Sequence, residues 1–212
     1  MQIALFGGSG KTGSLLVQKA YAAGHTVVML AADSETLKTS HAPARILSGD
    51  PQDRAAVDQV LDGAGAVISL LSPAKGQPAS ALSNALETIL EGMHAAGLRR
   101  LVMASGADIG DPNDHPSIAD QFYKTLLRLS APALYEDMTR AAYLVRSSEL
   151  DWTIVRIPRL SEEPATGKIH AGHLGSKSSG RVTRGDLAAF LLMQVESKDF
   201  MLQSPVISSE RA

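Results

Sequence analysis

The chain is predicted to form an α/β fold in which helices cover both faces of a doubly wound parallel sheet. Strand-like and helical segments alternate along nearly all of its 212 residues, which is the order that produces such sheets. Residues 66–71 form an almost continuous apolar run, typical of a parallel strand buried on both faces. The first strand leads into a glycine turn and then a helix, as at the start of a Rossmann fold. Functional residues are therefore expected beyond the carboxyl ends of the strands.

The first half of the chain provides five predicted strands with three helices between them. The strands cover residues 2–6, 25–30, 44–48, 66–71 and 100–105, and the helices cover 14–23, 53–61 and 80–96. The second helix has apolar residues on one face of a helical period, and Asp53 is suited to cap its N-terminus. Gly24 and Gly97 end the first and third helices, because glycine readily adopts the left-handed conformation found there.

The second half continues the alternation with longer connections. Strands are predicted at 152–156 and 206–208, a further short strand at 168–171, and helices at 118–129, 133–148 and 186–195. Residues 106–117 form a polar, proline-containing connection that is long for this fold and is therefore a candidate functional loop. We expect a single domain over residues 1–212, with its substrate side formed by 106–135 and 157–181.

The composition excludes several classes of function. The chain has no cysteine, which excludes disulfides, thiolate metal sites and thiol catalysis. Its formal net charge of −2 does not favour nucleic-acid or membrane partners, and no apolar run approaches the roughly 20 residues of a membrane helix. No leader with an apolar signal region precedes the first strand, so we expect a cytoplasmic protein. His170 and His173 would point to opposite faces of a strand, so we expect no metal.

The glycine turn predicts a binding site for a dinucleotide. Gly7, Gly10 and Gly13 follow the first strand at three-residue spacing. Such a turn lets phosphate oxygens approach the backbone, and the N–H groups and dipole of the following helix favour the anion. Gly10-Lys-Thr12 also resembles the end of a nucleoside-triphosphatase P-loop, but that motif requires glycine where this chain has Leu5. We therefore predict that a dinucleotide binds through its diphosphate.

Two segments of the chain are distinctive, the glycine turn and Asp151-Trp-Thr-Ile-Val-Arg-Ile-Pro158, and further matching segments are Gly49-Asp50, 66–71, 102–105 and Val182-Thr-Arg-Gly-Asp-Leu-Ala188. Together these segments resemble the atypical short-chain dehydrogenases/reductases of the NmrA-like, biliverdin reductase B (flavin reductase)-like group. The resemblance covers nearly the whole chain. It implies an NAD(P)-binding Rossmann fold in either a small reductase or a non-catalytic redox sensor.

The resemblance also implies roles for individual residues. The residues implied at the pyrophosphate of the cofactor are Gly7, Ser9, Gly10, Lys11, Thr12 and Gly13. Those implied at the adenosine are Asp50, Leu70, Leu71 and Ser72, and Pro158 would lie over the nicotinamide. Ser105, at the end of the fifth strand, matches the position where the family keeps a hydroxyl near the nicotinamide, and is our catalytic candidate. Two of these side chains have a structural alternative: Asp50 could cap a turn, and Ser105 could bond to its own backbone.

The preference between NAD and NADP is normally set at the end of the second strand, where an acid binds the ribose and a base binds the 2′-phosphate. The arginine common in NADP-binding relatives is missing here. Asp33 lies 20 residues beyond Gly13, the spacing of a ribose-binding acid, but in the resembling family that position falls just beyond the strand. Lys11 or Lys38 could bind a 2′-phosphate instead. We favour NADP(H) over NAD(H).

The absence of one catalytic motif limits the reactions that can be expected of this chain. No tyrosine is followed by lysine four positions later, so the pair that lowers a phenol pKa in ordinary short-chain dehydrogenases is absent. Hydride transfer to a flavin or quinone requires less from the protein, so we predict an NAD(P)H-dependent reductase of such an acceptor. The alternative is a dinucleotide-binding sensor without turnover. A sugar-nucleotide epimerase is less favoured, because the C-terminal portion is short for a substrate domain.

Overall fold

The computed structural model describes residues 1–32, 44–73, 76–175 and 180–210, the side chains at 119, 120 and 123 excepted. The strands are Gln2–Phe6 (β1), Thr26–Ala31 (β2), Arg45–Ser48 (β3), Ala66–Ser69 (β4), Arg100–Gly106 (β5), Asp151–Ile157 (β6), Leu160–Ser161 (β7), Ile169–Gly172 (β8), Val182–Thr183 (β9) and Val206–Ser209 (β10). The helices are Lys11–Ala22 (α1), Arg54–Leu61 (α2), Ala81–Ala95 (α3), Ile118–Ser130 (α4), Pro132–Ser147 (α5) and Arg184–Gln194 (α6). None of the helices in these ranges is long and apolar enough to cross a bilayer.

Eight strands form one sheet in the order β3-β2-β1-β4-β5-β6-β10-β8. The first seven of these run parallel. The chain adds β2 and β3 on one side of β1 and adds β4 and the later strands on the other side, so the direction in which strands are added reverses between β1 and β4. This order extends the doubly wound Rossmann arrangement, whose ligand site lies at that reversal. The predicted fold class is confirmed.

The core lies in two layers, one on each face of the sheet. Successive residues of β1 alternate between them, with Phe6 packing among α2, α3 and α5, and Leu5 packing against α1 and α6. Both side chains are fully buried. A central parallel strand that is covered on both faces has no polar side, which explains why residues 2–6 and 66–71 read as apolar runs.

The structure departs from the predicted elements at the C-terminal edge of the sheet. The short strand predicted at 168–171 exists as β8, but it pairs antiparallel with β10, Ile207 opposite Ala171. β7 and β9, which were not predicted, form a separate two-stranded sheet. Helix α6 begins two residues earlier than predicted, because the Thr183 hydroxyl accepts a hydrogen bond from Asp186 N at 3.0 Å and caps it.

Candidate functional site

The cleft begins where the chain leaves the neighbouring strands β1 and β4, at the reversal in strand order. Gly7 follows β1 with φ +74°, a conformation that residues other than glycine rarely adopt. A Cβ atom at this position would lie 2.4 Å from Leu71 N and 2.5 Å from Leu70 C. Gly7 is therefore required by the close approach of the two strand ends, quite apart from any ligand.

The other two motif glycines have contrasting surroundings. A Cβ atom on Gly13 would lie 1.9 Å from the carbonyl oxygen of Gly8, so helix α1 packs directly on the turn. A Cβ atom on Gly10 would meet nothing within 4 Å, and its φ of −89° suits any residue. The turn thus leaves an open space at Gly10, beside first-turn N–H groups that have no partner within a helix. This space and these donors fit a diphosphate.

Two adjoining cavities lie on either side of the point where Gly7 approaches Leu71. The one on the β2–β3 side has a volume of about 440 Å³, and the one on the β5–β6 side about 480 Å³. Among the predicted site residues, the first is lined by Gly7, Ser9, Asp50, Leu71 and Ser72, and the second by Gly7, Gly10, Thr12, Gly13, Leu70, Leu71, Ser72, Ser105 and Pro158. We call them the adenosine-side cavity and the nicotinamide-side cavity. Of the predicted site residues that the structure describes, Lys11 lines neither cavity, and Asp33 lies outside the described residues.

Asp50 has a structural role in this arrangement as well as a place in the cavity. Its carboxylate accepts a hydrogen bond from Gln52 N at 2.8 Å, and its carbonyl oxygen accepts from Asp53 N at 2.9 Å. The first bond forms an Asx turn, as the structural alternative predicted. The side chain remains exposed at the rim of the adenosine-side cavity.

Ser105 lies in the nicotinamide-side cavity near the end of β5, where it is half-buried. Its neighbour on β6 in the sheet register is Arg156. Within the described part of the chain its hydroxyl has no hydrogen-bond partner, so the bond to its own backbone that sequence reasoning allowed is not formed. The hydroxyl can therefore both donate and accept at a bound molecule.

Helix α3 also begins at this cleft, and its N-terminus is capped by a distant residue. Asp137 on α5 accepts hydrogen bonds from Leu82 N and Ser83 N, both at 3.0 Å, and is 5% exposed. Leu82 lines both the adenosine-side and the nicotinamide-side cavity. The donors that begin α3 are thus satisfied by a carboxylate of the protein itself.

Three charged side chains meet beside the glycine turn, and only Lys11 among them was predicted. The Lys11 ammonium lies 3.1 Å from Glu162, and Arg184 Nε lies 2.9 Å from the other oxygen of that carboxylate. Arg184 also donates to the Thr12 hydroxyl at 3.2 Å. Hydrogen bonds from Arg184 and then Lys11 hold the pKa of Glu162 below its ordinary value.

Sequence reasoning had no means of finding Glu162, which follows β7 and is distant in sequence from the turn. Arg184 did have a signal, since it stands within the segment 182–188 that carries part of the resemblance. Its position at the first residue of α6, directly after the Thr183 cap, brings its guanidinium to the nicotinamide-side cavity.

A larger cavity of about 1,020 Å³ adjoins the nicotinamide-side cavity, and Pro158 and Arg159 line both. We call it the loop cavity, because its main wall is formed by residues 107–116 after β5. Arg146 and Lys124 contribute cationic side chains. Within the described ranges, no group of His, Asp and Glu side chains is arranged to hold a metal ion.

A buried ion pair fixes the loop that forms this wall. Arg156, which is fully buried on β6, binds both carboxylate oxygens of Asp114 at 2.6 and 2.7 Å. The same carboxylate accepts from Leu174 N at 3.0 Å and Asp111 N at 2.8 Å. Burial alone would raise the pKa of Asp114, but the bonds from Arg156 and these backbone groups lower it below its ordinary value. The loop, β6 and the segment after β8 are therefore held at one point.

Fold and cleft together define a protein of the dinucleotide-binding Rossmann class. Residues 7–198 match the model of a family described as NAD(P)H-binding. The chain belongs to this family, and its cofactor is a nicotinamide dinucleotide. This confirms the predicted relationship to the atypical short-chain dehydrogenases/reductases.

The chain is also similar to individual proteins of known sequence or structure. The UPF0659 protein C216.03 of Schizosaccharomyces pombe is 28% identical over 191 residues, covering 80% of this chain and 75% of the yeast protein. The oxidoreductase ylbE of Lactococcus lactis superimposes with a TM-score of 0.81 at 19% identity, covering 100% of this chain and 92% of ylbE. ChuY, an anaerobillin reductase of Escherichia coli O157:H7, superimposes with a TM-score of 0.79 at 22% identity, covering 100% of this chain and 98% of ChuY. At such identities these two structures establish the shared fold.

Proposed function

We propose that the protein is an NAD(P)H-dependent reductase that transfers hydride to a small planar acceptor such as a flavin or a quinone. The observation that carries the proposal is that the nicotinamide-side cavity adjoins the loop cavity, the two sharing Pro158 and Arg159 in their walls. Small-molecule sites usually occupy about 300–1,000 Å³, so the loop cavity is large enough for an acceptor. The reductase ChuY among the structural relatives supports the same reaction class.

The residues of the cleft have distinct tasks in this proposal. The turn at Gly10 and the first N–H groups of α1 bind the diphosphate. The adenosine-side cavity, with Asp50 and Ser72, receives the adenosine, and Pro158 borders the nicotinamide. The bound dinucleotide supplies the hydride. Ser105 orients the reacting partners through its hydroxyl, and we propose it as the catalytic residue.

The acceptor side is proposed to consist of residues 106–135 and 157–181, within one domain that spans residues 1–212. No Tyr-x-x-x-Lys pair is available to donate a proton. A flavin or quinone accepts hydride without one, since its protons can come from solvent. The buried Arg156–Asp114 pair fixes the loop, so the wall of the acceptor cavity is ordered before an acceptor binds.

Within this proposal NADP(H) is the preferred cofactor. Ala31 and Ala32 line the adenosine-side cavity at the end of β2 and have no charge with which to bind the ribose hydroxyls. Lys11 is the cation of the glycine turn that can move toward a 2′-phosphate, although it contacts Glu162 in this conformation. The competing acid, Asp33, lies outside the described residues.

The missing Tyr-x-x-x-Lys pair favours a second candidate, a dinucleotide-binding redox sensor without turnover. Calorimetric titration with NADPH and NADH, followed by NAD(P)H oxidation assays with flavins and quinones, separates the two. The reductase should oxidise the reduced cofactor only when an acceptor is present. Binding of both redox forms without oxidation under any acceptor would replace the reductase with the sensor, and absence of dinucleotide binding would refute both.

A further inference from the structure

A carboxylate of the protein itself lies beside the glycine turn. Glu162 bridges Lys11 and Arg184, with oxygen–nitrogen distances of 3.1 and 2.9 Å. Arg184 in turn contacts the hydroxyl of Thr12 in the first turn of α1. A carboxylate thus holds two cations at the edge of the space left open by Gly10.

Arg184 differs from an ordinary surface cation in its position. Its side chain is only 28% exposed, whereas that of Lys11 is 75% exposed. It lines the nicotinamide-side cavity together with Gly10 and Thr12, and it also lines the neighbouring cavity in which Glu162 lies. A planar guanidinium at this point can bind a phosphate through the same donors that now bind the carboxylate.

We propose that Arg184 is a further cofactor-binding residue, and that Glu162 is an internal competitor which the phosphate groups of the cofactor displace from Arg184 and Lys11. The inference rests on the proposed use of the glycine turn. The diphosphate carries more negative charge than one carboxylate and also binds the N–H groups of α1, so it outcompetes Glu162. The Glu162 side chain is 61% exposed, so water can replace its two contacts at little cost.

The competition makes opposite predictions for two substitutions. Arg184→Gln removes a charge-assisted bond and should weaken NADPH binding about tenfold or more. Glu162→Gln releases both cations and should tighten binding about two- to tenfold, because two exposed ion pairs no longer need to be broken. In the double variant the gain from Glu162→Gln should shrink, since one of the two released cations is gone.

The test is calorimetric titration of NADPH and of inorganic pyrophosphate into the full chain and its variants. Glu163→Gln is the matched control, because Glu163 is the adjacent exposed acid and pairs with Arg181 at 2.9 Å, so its affinity should equal that of the unmodified protein. Arg184→Lys serves if thermal melting shows that Arg184→Gln is misfolded, and it should retain part of the affinity.

The outcomes separate this inference from the proposed function. If the unmodified protein binds no dinucleotide, both fail. If it binds but neither the Arg184 nor the Glu162 variants change the affinity, only this inference is overturned. Weaker binding after Glu162→Gln would mean that Glu162 positions Arg184 for the phosphate and would overturn the competition.

Discussion

At the residue scale, the three motif glycines have different physical reasons to be glycine. Gly7 and Gly13 are required because a Cβ atom would collide with the backbone of Leu71 and of Gly8, respectively. Gly10 has no such restriction, and its extended backbone suits any residue. Gly7 and Gly13 are thus required by the fold. The fold does not require glycine at position 10, so the reason for Gly10 is the room that a bound ligand needs.

Substitution of Gly10 should therefore separate binding from folding. We expect Gly10→Val to abolish dinucleotide binding, because its side chain would extend into the space proposed for the diphosphate. The melting temperature should change little, as valine suits the extended backbone there. Gly65→Ala is the control, since its Cβ atom would meet only the flexible Met1 side chain at 3.5 Å. Unchanged affinity in Gly10→Val, measured by calorimetry, would remove the turn from the site.

Gly13→Ala should have the opposite effect. Its Cβ atom would lie 1.9 Å from a carbonyl oxygen, and backbone cannot yield as a flexible side chain does. Overpacking typically costs about 1–3 kcal/mol, and we expect Gly13→Ala to lower the free energy of unfolding by an amount near the upper end of that range. Urea denaturation of Gly13→Ala beside the unmodified protein measures it. Equal midpoints would mean that the turn shifts without cost.

Ser105 tests the reductase itself. We expect Ser105→Ala to leave NADPH affinity nearly unchanged and to lower kcat/KM for the acceptor by up to roughly a hundredfold, because the proposed role of its hydroxyl is to orient the reacting partners. Ser148→Ala is the control, because that hydroxyl donates to Val145 O at 2.7 Å at the far end of α5. Equal turnover in both variants would exclude a catalytic role for Ser105.

At the element scale, the loop after β5 is held by a buried ion pair in addition to the apolar packing of Ile109 in the core. Asp114 is 7% exposed in the pair with Arg156, and it also bonds the backbone beyond β8 at Leu174. Removing one partner of a buried pair leaves the other charge without compensation. The Asp114 carboxylate is thus one of the groups that fix this loop, together with Arg146, which donates to Gly110 O and Ser204 Oγ.

Asp114→Asn should destabilise the protein by about 3–5 kcal/mol near neutral pH. Asp151→Asn, which breaks the exposed pair with Arg99 at 3.1 Å, should cost less than about 1 kcal/mol. Because the folded pKa of Asp114 is lowered, its contribution is complete above the ordinary carboxyl pKa of about 3.9. It disappears as the pH falls through the lower folded value. The difference in stability between Asp114→Asn and the unmodified protein should therefore shrink in acid, as measured by thermal melting across pH.

The sequence could predict those elements whose signals are local. Runs such as 66–71 indicate buried strands, and Asp53, which accepts from Ala55 N at 3.0 Å, marks a helix start. The antiparallel direction of β8 depends on its pairing with β10, nearly forty residues later in the chain. No local pattern encodes such pairing. Glu162 and Asp137 were missed for the same reason, since their partners are fixed only by tertiary structure.

At the scale of the whole molecule, three cavities lie side by side along the carboxyl edge of the sheet. The adenosine-side and nicotinamide-side cavities share Leu71 and Leu82, and the nicotinamide-side and loop cavities share Pro158 and Arg159. A cofactor that fills the first two therefore adjoins an acceptor in the third. No single sequence motif predicts that these three cavities adjoin one another.

A ligand that binds only the folded protein should raise its melting temperature. At one hundred times the dissociation constant, NADPH should stabilise the protein by about 2.7 kcal/mol. NADH at equal concentration should give a smaller rise if NADP(H) is preferred. Gly10→Val should show no rise with either cofactor, which makes it the control for unspecific effects in differential scanning fluorimetry. An equal rise with both cofactors would contradict the preference.

The cap of α3 by Asp137 has a consequence for how an elongated cofactor lies in the cleft. Helices α1 and α3 both begin at this edge, and either N-terminus could attract a phosphate. A carboxylate already occupies the start of α3. In the proposed binding mode, the charged middle of the cofactor therefore binds at α1, and its two ends extend from there into the cavities on either side. Asp137 would thus direct the diphosphate to α1 rather than to α3.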